Sequence, residues 1–240
     1  MTAAMRGEWT KLSTIRSPWA TMALALVMLV GIGAARALTS DGPFGTGHLV
    51  QGAGTAMLLV LALGSVAATT EYVTGTYGLT VLADASRSRV FAAKALVVAM
   101  VSAVAAAMGA AVLFLVGAAA PNTVIDWTAA DVRAVWGLVP VWALCGVIGV
   151  AVGTLVRRTA PAVVLVVLWP LALEPLVGTI PQVGDDVVKW MPFRNAVQFY
   201  NPSALPDGAA HNPAVAVAVF AAYALVLAIL AVVVDRRRSA

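Results

Sequence analysis

The chain has 240 residues; 61% are hydrophobic and 11% charged, against about 45–50% apolar and about 25% charged in a typical soluble domain. Water cannot be its main solvent. A formal charge of +4 would suit a nucleic acid, but the basic residues flank apolar runs, where lipid headgroups meet them, so membrane lipid and not nucleic acid is the expected partner. The single cysteine, Cys145, sits inside an apolar run and reads as a small buried residue; a lone thiol forms no intrachain disulfide.

Residues 1–17 place Met5, Trp9, Leu12 and Ile15 at helical spacing, with Arg6, Thr10, Lys11 and Thr14 on other faces. Glu8 lies close to the apolar stripe and makes it imperfect. This pattern predicts an interfacial helix lying flat on the inner surface; the alternative is a basic flank that only sets topology. The apolar run at 18–35 is longer than the 7–15 residues of a signal-peptide core, although Ala35-Arg36-Ala37 resembles a cleavage site, so it reads as a span. Crossing about 30 Å of hydrocarbon takes about 20 helical residues. Five further runs qualify, at 49–69, 92–119, 134–156, 159–177 and 213–234.

The fold class is therefore all-α, a polytopic integral membrane protein with six transmembrane helices in a single domain over 1–240. With the N-terminus in the cytoplasm, eleven Lys and Arg fall on the inner side and four on the outer. That bias predicts both termini in the cytoplasm.

The segment 70–91 is longer and more polar than a plain connection needs. It contains Glu71, Thr74-Gly75-Thr76, Ser86-Arg87 and Arg89, with Lys94 following. Gly75 and Gly78 can bend the chain, and Asp84 or Ser86 can cap the next helix. The expectation is a short, partly polar helix presented to the cytoplasm; a loop that only sets topology is the alternative. Gly149-x3-Gly153 in the fourth run is a spacing for close helix packing, within the chain or between chains.

By these boundaries Glu174 is the only ionisable residue well inside a span. Pro170 and Pro175 flank it and predict a kink or break. It is a pore or gate candidate by default; the alternative is capping of a broken helix or contact with interfacial water. Segment 178–211 carries Trp190, Phe193, Phe199 and Tyr200 among prolines, which suits outer re-entrant helices; an ordinary outer loop is the alternative.

Catalytic chemistry finds no foothold. The sequence has no G-x4-G-K-[ST], no H-E-x-x-H and no G-x-S-x-G, and His48 and His211 are far apart in the chain. No metal site, no cofactor and no enzyme activity of its own are expected.

The order Glu8-x2-Lys11, Arg16-Ser17, Trp19, Glu71-x3-Gly75-Thr76, Ser86-Arg87-x-Arg89, Lys94, Pro181, Trp190-x-Pro192 and a basic C-terminus resembles the membrane subunits of ABC-2-type exporters over the whole chain. It departs from the family at Ala85, where a proline is frequent, and at Asp235-Arg236-Arg237-Arg238, where Arg-Arg-Asp is frequent. The resemblance implies a permease subunit in a bacterial plasma membrane. An ABC ATPase subunit, in two copies and carrying ATP and Mg, would power it, and a second permease, identical or related, would complete it. It implies that Glu8, Lys11, Glu71, Thr74, Gly75, Thr76, Ser86, Arg87 and Arg89 form the ATPase-coupling surface. The expected cargo is a hydrophobic or amphipathic compound (a drug, antibiotic, peptide or lipid). A carrier driven by ions or protons through Glu174 is the alternative function; an intramembrane enzyme would need a catalytic constellation that the sequence lacks.

Overall fold

The computed structural model describes residues 2–40, 42–78, 86–120, 124–125, 128–181, 184–205 and 209–238. Among the described residues the regular elements are all helices. Six are long and apolar enough to cross a membrane: Arg16–Thr39, Thr46–Val73, Arg87–Ala119, Ala129–Val156, Thr159–Gly178 and Pro213–Arg237. This is the make-up of a multi-pass membrane protein. The observed helices run past the expected apolar cores at several ends, because polar residues continue a helix once it leaves hydrocarbon.

In chain order the elements are α1 (Thr2–Thr14), α2 (Arg16–Thr39), α3 (Thr46–Leu49), α4 (Ala53–Val73), α5 (Arg87–Ala119), α6 (Ala129–Trp136), α7 (Leu138–Val156), α8 (Thr159–Leu168), α9 (Glu174–Gly178), α10 (Gly184–Val188), α11 (Pro192–Tyr200) and α12 (Pro213–Arg237). The break between α1 and α2 falls at Ile15, which is extended (φ −92°, ψ 131°). A helix running straight through would need Pro18 to donate to the Thr14 carbonyl, and proline has no N–H. In the first turn of α2 that missing donor costs nothing. Between α8 and α9 the distortion expected at Pro170 takes the form of a π turn over Trp169–Leu173.

The middle of the bundle is α4, α5 and α7. The spans at either end of the chain and the fifth are the least buried, with exposed side chains such as Leu165, Leu168 and Leu171 on the fifth and Leu225, Val226 and Ile229 on α12. α4 and α7 cross backbone to backbone. A Cβ on Gly64 would stand 2.7 Å from the Gly146 carbonyl oxygen, and one on Gly149 would strike the Leu61 carbonyl. Ser65 Oγ donates to the Gly149 carbonyl at 3.1 Å across the same crossing. The Gly149-x3-Gly153 spacing is thus taken up inside the chain.

α1 and the end of α12 lie at one end of the bundle, here the proximal end, both beside the start of α5. At the distal end Thr128 and Asp131 form a capping box on α6, and Thr46 Oγ1 donates to Asp131 Oδ1 at 2.6 Å. Asn201 Nδ2 donates to the Gly47 carbonyl at 3.0 Å and Arg133 Nε to the Phe199 carbonyl at 2.9 Å. α11 buries Phe193, Ala196 and Tyr200 against the bundle.

Substituting Gly149 by Val is expected to lower the stability of the purified chain by about 1–3 kcal/mol through overpacking. Gly54→Ala, where an added Cβ meets nothing within 4 Å, is expected to leave it unchanged. Thermal unfolding in detergent reads both.

Candidate functional site

Four charged side chains meet at the proximal end. Lys94, two turns into α5, donates to Glu8 Oε2 at 2.6 Å and to Glu71 Oε1 at 2.8 Å. Lys11 donates to Glu8 Oε1 and to Glu71 Oε1, both at 2.8 Å. A weaker contact from Lys94 to the Ala67 carbonyl, at 3.4 Å, uses its third donor. Glu8, Glu71 and Lys94 are only 4%, 6% and 7% exposed. Two carboxylates facing two ammonium groups leave no net charge, which is the condition under which such groups tolerate burial.

This cluster fixes α1. Glu8 and Leu12 are buried on one face of that helix, Met5 packs beside them, and Trp9 meets Trp19 edge-on with ring centroids 6.4 Å apart. Glu8 therefore joins α1 to the start of α5 and, through the lysines, to the end of α4. Burial works against the charge on Lys11, but hydrogen bonds to Glu71 and Glu8 outweigh it and hold the ammonium above its ordinary value.

A second group closes the same end. Asp235 of α12, 2% exposed, accepts from Arg157 Nη2 at 2.8 Å, from Tyr72 at 3.2 Å and from Tyr77 in a short contact. Burial, then the bond to Asp235, pushes the Tyr77 phenol up to about 12. Arg87 Nη1 donates to the carbonyls of Asp235 at 2.7 Å and Arg238 at 2.6 Å. Arg157 caps α7 in the left-handed region (φ 58°), a conformation costly to a residue with a Cβ. That cost is offset by its Asp235 bond and by its place over the Tyr72 ring, 5.1 Å from the centroid.

The expected coupling residues thus separate into three sets. Glu8, Lys11 and Glu71 converge, with the two carboxylates turned inward. Thr74, Gly75 and Thr76 form an exposed turn just beyond Glu71; Gly75 sits at φ +71°, where glycine carries no steric cost, and the two threonine hydroxyls lie 2.9 Å apart. Ser86, Arg87 and Arg89 open α5, Arg87 being tied to the C-terminal end and Arg89 exposed. Ser86 occupies the N-cap position, yet its hydroxyl meets Ser88 instead of capping; Asp84 lies outside the described residues.

Glu174 is at the distal end. Its Oε1 accepts the Phe193 N–H at 2.9 Å and its Oε2 the Arg194 N–H at 2.7 Å. The carboxylate therefore caps α11 from a different helix, serving N–H groups that Met191, at the N-cap position, leaves unserved. Glu71, Lys94 and Asp235 also belong to the long helices, but near their proximal ends: Glu71 two residues before Val73, Asp235 two before Arg237 and Lys94 two turns after Arg87.

Sequence reasoning gave Lys94 no contact of its own and missed Tyr72, Tyr77, Arg157 and Asp235. For Lys94 and Asp235 a signal existed, a charge adjoining an apolar run, which calls for a partner. Among the described residues no group of His, Cys, Asp and Glu could hold a metal ion. No family model matches the chain, and no curated protein matches it.

Lys94→Met leaves the two buried glutamates with Lys11 alone and is expected to cost about 3–5 kcal/mol, read as faster protease cleavage within α1. Adding Glu8→Gln is expected to recover part of that loss. The raised Lys11 value sets the sign of the pH effect: its contribution is complete below the ordinary 10.5 and is lost as pH rises through the folded-state value. Protection of α1 is therefore expected to hold from neutral pH to about 10 and fall beyond the lysine range.

Proposed function

We propose that this chain is the membrane-spanning permease subunit of an ATP-driven exporter, similar to the ABC-2 type, moving a hydrophobic or amphipathic compound out of a bacterial cell. The observation that carries this reading is the four-charge cluster, which fastens α1 to the ends of α4 and α5 beside the exposed Thr74–Thr76 turn. An external motor needs a stiff surface to push on, and a clamped helix next to a presented turn supplies one. In this reading α1 lies at the inner interface, the proximal end faces the cytoplasm, and 178–211 lies outside.

The motor belongs to a partner. A pair of ABC ATPase subunits docks on the exposed turn and on Arg89, while Glu8, Lys11 and Glu71 act as positioning residues behind that surface. A second permease, identical or related, completes the pathway, and the chain contributes no ATPase chemistry. Both oxygens of Glu174 already serve backbone donors, so the carrier reading gains no support from its geometry.

The deciding experiment reconstitutes the chain in vesicles with its ATPase partner. Export is expected to stop when the partner loses hydrolysis, and Arg89→Glu is expected to weaken partner binding several-fold while membrane insertion is unchanged. Uphill transport by the isolated chain would overturn the proposal. Transport driven by a pH gradient and lost in Glu174→Gln would favour the carrier.

A further inference from the structure

An apolar groove of about 380 Å³ runs between α1, α2 and α5. Trp9 and Trp19 stand at one end, Met22 and Leu26 form one wall, and Met100, Val104 and Met108 form the other. Along α5 the lining runs from Val97 to Met108, which is about 16 Å by helical rise. Trp9, Trp19, Met100, Val104 and Met108 are exposed, so the groove opens sideways, away from the bundle.

Its tryptophan end continues into a more polar hollow shared by Trp9, Val97 and Met100, and lined also by Arg6 and Thr10. Arg6 is exposed. The two tryptophans mark a depth as well as a wall, because such rings favour the boundary between headgroups and hydrocarbon. An apolar slot leading away from that boundary, with a cation just above it, has the shape and charge of one class of ligand. Thioether side chains on both walls add tolerance to where kinks fall in a chain.

We propose that this groove holds one anionic phospholipid, with an acyl chain laid along Met22, Met100, Val104 and Met108 and its phosphate against Arg6. Charge complementarity chooses the headgroup, and the length of the slot chooses an acyl chain over a compact solute. The lipid would wedge α1 against α5 from outside, complementing the Glu8–Lys94 bond that holds the two from within. The site requires no ATPase and no cargo, so it stands or falls separately from the export reading.

The test uses the purified full chain in mixed micelles, with phosphatidylglycerol as probe and phosphatidylcholine as its neutral counterpart, read by native mass spectrometry. Wild type is expected to retain one phosphatidylglycerol, at about fivefold higher affinity than phosphatidylcholine, the contribution of one basic residue near a charged headgroup. Arg6→Gln is expected to erase the preference and Arg6→Lys to restore it. Met100→Trp, which fills the slot from an exposed position, is expected to lose retention of both lipids; Val104→Trp serves if that variant fails to fold. Equal affinity for the two headgroups in wild type, or retention that survives both filled variants, would overturn the proposal. So would a dimer that Met100→Trp dissociates, since a second copy would then be the occupant.

Discussion

A charge inside an apolar bundle must meet its opposite there, and in this chain that requirement decides where the first helix goes. Glu8 cannot remain buried without Lys94, and Lys94 cannot remain in α5 without Glu8 and Glu71. Stability alone does not explain such a group, since apolar residues of similar volume often hold a bundle at least as well. What four mutually dependent charges supply is a single allowed position. An apolar α1 could slide along α5 or rotate about its own axis at little cost; one that buries Glu8 cannot.

Asp235 does for the last helix what Lys94 does for the first. It gathers Tyr72 from the end of α4, Arg157 from the end of α7 and Tyr77 from beyond α4, while Arg87 of α5 binds the backbone beside it. Four of the long helices therefore end in one polar junction. The two groups adjoin through α4, where Glu71 and Tyr72 are neighbours in sequence. A displacement applied at that end would be felt by most of the bundle together, whereas the distal end is built of separate caps and single hydrogen bonds.

The long helices are legible in the sequence because a soluble fold has little use for an unbroken apolar run of about 20 residues. The separate α1 is legible from Met5, Trp9 and Leu12, and the one residue that spoils the stripe, Glu8, proves to be its anchor. Its partner is disguised by its position: Lys94 looks like a flank of the run beginning at 92 and lies two turns into α5. Asp235 and Arg157 are 78 residues apart, and no local pattern joins them. Glu174 is legible as an oddity and as a cap, but the helix it serves is not, because its partners are backbone N–H groups, which have no letter in a sequence; Pro192, opening α11, is a nearby hint.

The crossing of α4 and α7 has a mechanical consequence. Helices separated by side chains can shift past one another as rotamers change, one gear tooth at a time. At Gly64 and Gly149 no such teeth exist, because each main chain rests on the other. The pair is a fused spar, and any breathing of this protein must come from the helices arrayed around it.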